Sequence, residues 1–237
     1  MKVLLFSNFS ISYTDYTHML FGNASVGFNW GKDKSNTTKW VERDLVFYSK
    51  EKGNNTSRGT MILGSLSKRI EGIRGMVNAK CLGFLNRATI LQNGESVDYK
   101  TNMWQTSVGL NSNVHDWLEI DYQLGYNINS LSFSKAKTST KLLTQALNIS
   151  FLPIEDLTLT VMAEHYANYF SSLPSKQTIF SDIRCVYKYH KVDFVGSLTN
   201  VFNQKYYNNT SYTDLSSSYR KFSLRGRTFL LSVVTYF

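Results

Sequence analysis

The chain has 237 residues, a formal net charge of +9, and 42% hydrophobic, 18% charged and 14% aromatic residues. With 15 Tyr, 15 Phe and 4 Trp it is not a disordered chain, which needs low hydrophobicity and few aromatics. Its 2 cysteines exclude a disulfide scaffold and a CxxC zinc site, and no apolar run reaches the roughly 18 to 20 residues of a membrane-spanning helix.

At the N-terminus, Val3-Leu4-Leu5-Phe6 is broken at once by Ser7, Asn8 and Ser10. A secretory leader needs an apolar stretch of about 7 to 15 residues. Either the protein stays inside the cell or residues precede this segment, and the rest of the chain favours the second. Residues 3–13, 20–30, 40–48 and 60–70 each read as a strand, with loop chemistry at residues 31–36 and 53–56. Alternation is weak in the first two segments, so residues 1–38 are poorly defined as strands or loop. Regular long hairpins occupy 39–237.

From residue 104 onward a period of two dominates. Trp104, Thr106, Val108 and Leu110 alternate with Gln105, Ser107, Gly109 and Asn111. Leu118, Ile120, Tyr122, Leu124, Tyr126 and Ile128 alternate without a miss with Glu119, Asp121, Gln123, Gly125, Asn127 and Asn129. The pattern returns at Leu147-Ile149-Phe151, at Leu157-Leu159-Val161-Ala163 and at Ile183-Cys185-Tyr187-Tyr189. A strand sends successive side chains to opposite faces, so each segment has one apolar and one polar face. These strands run about 11 to 16 residues, against about 5 or 6 in globular sheets. Tilted strands that cross a bilayer have this length and this alternation.

Short connections at residues 71–75, 114–116, 153–156 and 190–191 alternate with longer polar loops at 92–96, 132–140, 171–177 and 203–218. Both prolines, Pro153 and Pro174, fall in connections, as a hydrogen-bonded ladder requires. Tight turns on one side and long loops on the other are the asymmetry of outer-membrane barrels. The fold expected is all-β, an antiparallel up-and-down transmembrane β-barrel of about 10 to 12 strands. A propeller shares the repeat of about 40 residues, but it packs four short strands into each repeat where this chain fits two long ones. A soluble sandwich also competes. Aromatics near strand ends, with Trp117, Phe151, Tyr187, Tyr189, Phe194 and Phe237 below and Trp104, Tyr126, Tyr169, Phe180, Phe202 and Phe222 above, would form interfacial girdles.

The last strand places Phe229, Leu231, Val233, Thr235 and Phe237 on one face and ends on the aromatic. It resembles the C-terminal signal captured by the barrel assembly machinery through strand addition, although Thr235 stands where that signal prefers another aromatic. Upstream, Leu198-Thr199-Asn200-Val201-Phe202-Asn203-Gln204-Lys205-Tyr206-Tyr207 resembles the penultimate-strand signature of TonB-dependent receptors. Gly226-Arg227-Thr228-Phe229-Leu230-Leu231-Ser232-Val233 is similar to the final strand of that family, and Leu91-Gln92-Asn93-Gly94-Glu95 before Val97-Asp98-Tyr99 to its middle region. The likeness covers about residues 39–237. It implies a cell outer-membrane location, contact with outer-membrane lipid and assembly by the barrel machinery. Complete receptors of this kind have barrels of about 22 strands with an N-terminal plug. No plug is recognisable here, so the chain reads as the C-terminal part of a larger barrel that takes up an unidentified nutrient. A TonB-type energising protein is implied only if a plug is present elsewhere.

For function the expectations are correspondingly narrow. Loop aromatics Tyr206, Tyr207, Tyr212 and Tyr219 are the candidates for ligand contact. Arg225 and Arg227, at the outer rim of the last strand, are candidates for lipid phosphates. Glu164, Asp182 and Arg184 should face inward and pair as a lumenal salt bridge. His18, His115, His165 and His190 are scattered, with neither GxSxG nor HExxH, so no enzyme, cofactor, metal or nucleic-acid partner is expected. The alternative is a self-contained small barrel acting as an enzyme or adhesin.

Overall fold

The computed structural model describes residues 2–42, 45–92, 95–133, 136–170, 176–212 and 217–236. Nearly all of them are strand. In chain order these are β1 (Lys2–Asp15), β2 (Leu20–Glu42), β3 (Leu45–Ile70), β4 (Gly75–Gln92), β5 (Glu95–His115), β6 (Leu118–Phe133) and β7 (Ala136–Ile154). There follow β8 (Leu157–Phe170), β9 (Lys176–Tyr189), β10 (Val192–Thr199), β11 (Tyr206–Tyr212), β12 (Ser217–Ser223) and β13 (Thr228–Thr235). Eleven of them form one up-and-down antiparallel sheet in the order β1 to β10 and then β13, while β11 and β12 pair as a separate hairpin. The large sheet is open: β1 pairs with β2, β13 pairs with β10, and among the described residues no pairing joins β1 to β13.

Register turns the alternation of single strands into two continuous faces. Ile183 in β9 pairs with Val161 in β8, Val161 with Ile149 in β7, and Ile149 with Ile120 in β6. Leu198 in β10 pairs with both Ile183 and Phe229. Toward the other edge, Leu110 pairs with Val77 and Tyr122, and Val26 with Phe9 and Ile62. All these side chains share one face, because directly opposed residues of an antiparallel pair project the same way. On the other face Asp121 pairs with Asn111 and Asn148, and Ser107 with Lys80 and Gly125.

Among the described residues the apolar face is not covered by a second layer. Ala167 is the one fully buried apolar residue among those described, whereas Phe9, Ile11, Phe229 and Leu231 are about two-thirds or more exposed. A water-soluble domain buries the apolar face of a sheet against another element, and each large apolar side chain left in water forgoes about 1.5 to 3 kcal/mol. Among the described residues no helix is long and apolar enough to cross a membrane.

Several expectations change. Within residues 1–38, residues 2–15 and 20–38 are regular strand, with Lys2 to Asp15 of β1 paired without interruption to β2. The Val3-Leu4-Leu5-Phe6 run hid this by putting apolar residues on both faces. Residues 40–42 and 45–48 pair with each other at the end of the β2–β3 ladder and are not a strand of their own. The loops at 92–96 and 132–140 are mostly strand, because the β4–β5 and β6–β7 ladders continue to Gln92–Glu95 and Phe133–Ala136. Likewise 203–218 is largely β11 and β12. Polar strands of this kind leave no apolar alternation to read. Phe180 leaves the proposed girdle: it is one residue out of phase with Ile179 and Ile183 and projects from the polar face. In the last strand Phe229, Leu231, Val233 and Thr235 share the apolar face through their pairing with β10, and Phe237 lies outside the described residues.

Candidate ligand site on the polar face

Strands β8 and β9 bring unlike residues together on the polar face. Met162 stands opposite Asp182 and Glu164 opposite Phe180. With Ser181, Thr199, Asn200, Leu224 and Arg225 they line an open cavity of about 330 Å3. The chain reaches this cavity through the turn that follows β10, and two asparagines build that turn. Asn200 and Asn203 both have φ of 54°, a left-handed conformation that asparagine tolerates better than most residues.

Asn200 holds three segments at once. Its backbone N–H donates to the Asp182 carboxylate at 2.7 Å, and its side-chain amide donates to the carbonyls of Gln204 at 2.9 Å and Arg225 at 2.8 Å. Its side-chain oxygen accepts from the Gln204 N–H at 2.7 Å. Asn203 Oδ1 accepts from the Arg227 N–H at 3.1 Å. Asn200 and Asn203, within the segment 198–207 singled out in the sequence, therefore clamp together β10, the start of the β11–β12 hairpin and the approach to β13.

An aromatic wall completes the site. The Tyr207 ring centroid lies 6.3 Å from Tyr166, 6.1 Å from Phe180 and 6.3 Å from Phe222, while Tyr166 and Phe180 are 6.0 Å apart. Tyr166 and Phe180 belong to the polar face, so the β11–β12 hairpin folds over that face. Edge-on and stacked ring pairs at these distances contribute about 0.5 to 1.5 kcal/mol each. Beneath the wall, the Tyr166 hydroxyl donates to Glu164 at 2.9 Å.

The expected site residues separate accordingly. Tyr207 joins the wall. Tyr206 does not, since its ring lies under the Lys221 ammonium at 3.8 Å, and the side chains of Tyr212 and Tyr219 are outside the described residues. Arg225 lines the cavity. Arg227 is held instead by its guanidinium, which donates to the Val201 carbonyl at 3.1 and 2.7 Å. The expected salt bridge among Glu164, Asp182 and Arg184 is not formed: register sets Arg184 opposite Thr160 and Ser197, with Glu164 opposite Phe180 further along the strand, and the carboxylates accept instead from the Tyr166 hydroxyl and the Asn200 N–H. Sequence reading missed Tyr166 and Phe180 as site residues. Their signal was phase: each is a large aromatic at a polar position of an otherwise alternating strand.

The cavity thus gathers two carboxylates and a guanidinium beside an aromatic wall. The histidines stay dispersed: His18 pairs with Asp15 at 2.7 Å, His115 stacks on Trp117, His165 meets Gln145 at 3.4 Å and His190 lies against Tyr189. Among the described residues no cluster of His, Cys, Asp and Glu is placed to hold a metal ion. No family model and no curated protein matches this chain.

Proposed function

We propose that the chain is a β-barrel segment of an outer-membrane receptor, with its apolar face against lipid and its polar face lining the barrel interior. The observation that carries this reading is the uncovered apolar face running through eleven strands in register. Its height fits. From Leu118 to Ile128 β6 extends roughly 33 Å at about 3.3 Å per residue. A tilt of about 40° reduces that to about 25 Å, the height of the lipid-facing band of such barrels. In a bilayer that face needs no second protein layer to cover it.

Strand parity supports a segment of a larger barrel. With eleven strands in alternating directions, β1 and β13 run the same way. Closing the sheet on itself would need a parallel seam, whereas single-chain bacterial barrels have even numbers of antiparallel strands. Further strands between β1 and β13 would satisfy both edges, which lipid otherwise does not tolerate. Together with the resemblance of residues 198–207 and 226–233 to TonB-dependent receptors, this favours nutrient uptake. The cavity beside Asn200, under the β11–β12 hairpin, is the proposed ligand-contact region. An energising TonB-type partner would act through a plug carried by another part of such a receptor.

Refolding into detergent micelles with heat-modifiable gel migration tests the reading. A β-rich protein that requires detergent and shows no compact heat-sensitive band is the result expected of a segment. A compact heat-sensitive band would support a self-contained small barrel, an enzyme or adhesin, instead. A folded monomer in plain buffer would contradict both.

A further inference from the structure

Register places three cations side by side at the upper edge of the apolar face. Arg58 in β3 is directly opposite Arg87 in β4, and Arg87 is directly opposite Lys100 in β5. Trp30 in β2 completes the row beside Arg58. Leu85 stands one pleat below Arg87, and one pleat further down lies the apolar row of Ile62, Gly83 and Trp104. All three cations are exposed, and among the described residues none is paired with a carboxylate. They line a shallow cavity of about 270 Å3 that also includes Asp98 as its single carboxylate.

Such a row is unfavourable by itself. Like charges directly opposite each other destabilise a sheet, and here two such rungs adjoin. A bound anion reverses the sign of both. Two guanidinium forks beside an ammonium match the oxygens of a phosphate, which arginine engages in bidentate fashion. Position selects the source of that phosphate. The row sits where the lipid-facing band ends, with Trp30 in the row itself and Trp104 two pleats below, and tryptophan is the residue type enriched at headgroup level.

We propose that Arg58, Arg87 and Lys100 form a binding site for the phosphate of an anionic membrane lipid, whose acyl chains lie along the Leu85–Trp104 surface below. The site rests on the lipid-facing reading of this face.

Tryptophan quenching of the full chain in detergent micelles doped with brominated phosphatidic acid or brominated phosphatidylcholine tests it. The expected result is a preference for phosphatidic acid of about tenfold or more, the scale of a few basic residues near an anionic surface. The variant R58Q/R87Q/K100Q should abolish the preference, and the charge-matched control K80Q/K188Q/K191Q should keep it. Equal quenching by both lipids in the unmodified chain, or an unchanged preference in the triple variant, overturns the basic row alone. Loss of the preference on adding inorganic phosphate at constant ionic strength assigns the row to a soluble anion and overturns the lipid source. Absence of quenching by either lipid overturns the lipid-facing reading and this site with it.

Discussion

Trp104 lies flat across Gly83 of the neighbouring strand, with its ring 2.6 Å from where a Cβ on Gly83 would stand. The two residues are direct partners in the β4–β5 ladder. An aromatic that covers a cross-strand glycine shields backbone and fixes register, the arrangement used to rescue glycine in sheets. Gly83→Val should therefore destabilise despite the better strand propensity of valine. Displacing the ring should cost about 1 to 3 kcal/mol, the usual range for overpacking. Denaturant titration of Gly83→Val, Trp104→Ala and the double variant should reveal coupling between them. Simple additivity would show that the ring does not depend on the glycine.

Asn200 should be the most sensitive position in the turn beside the cavity. Its side chain makes three hydrogen bonds, each contributing about 0.5 to 1.5 kcal/mol. Asn200→Ala loses them and adds the left-handed penalty of about 1 kcal/mol or more. Asn200→Gly loses the bonds but not the conformation. Limited proteolysis between residues 200 and 227 should therefore rank alanine above glycine above the parent. Equal cleavage of all three would show that the clamp does not hold the hairpin.

The β11–β12 hairpin should lift when its wall is removed. Tyr207→Ala deletes three ring pairs of the wall and Phe222→Ala one, each worth about 0.5 to 1.5 kcal/mol. Hydrogen exchange of the β11 and β12 amides should accelerate about tenfold or more in each variant. Tyr206→Ala, outside the wall, should leave exchange in β8 and β9 unchanged.

The turn after β1 should respond to acid. Asp15 accepts N–H bonds from Thr17 at 2.8 Å and His18 at 3.1 Å, and its second oxygen meets His18 Nδ1 at 2.7 Å. The side-chain bond to His18, followed by the backbone bond from the same residue, holds the Asp15 carboxyl below its usual range. A carboxyl depressed in the folded state stabilises it above the unfolded value of about 3.9 and loses that contribution as pH falls through the folded value. Carboxyl-carbon NMR titration should find Asp15 below ordinary aspartates, and His18→Ala should move it upward. No movement in that variant would mean the pair does not form.

How far the sequence could be read depended on where information was local. In β6 the alternation from Leu118 to Ile128 is unbroken, so length, type and face were all legible before any pairing was known. The resemblance of residues 198–207 pointed to the turn that Asn200 and Asn203 build, although not to its hydrogen bonds. By contrast Tyr166 and Phe180 are conspicuous only against the phase of their own strands, and aromatic content alone assigned Phe180 to the wrong face. The β11–β12 hairpin, lacking an apolar stripe, read as loop. Arg58, Arg87 and Lys100 are far apart in the chain, and only the registers set by the β3–β4 and β4–β5 connections align them.

The central claim is that one face of this sheet meets lipid and the other water. Spin labels placed one at a time from residue 118 to 129, in a background with Cys81 and Cys185 replaced, measure this directly in micelles or bilayers. The account predicts that oxygen accessibility peaks at Ile120, Tyr122, Leu124, Tyr126 and Ile128, while a water-soluble relaxant peaks at Asp121, Gln123, Gly125 and Asn127, with a period of two throughout. Uniform accessibility to the aqueous relaxant at both sets, or protection of the even-numbered set from both reagents by protein packing, would contradict it.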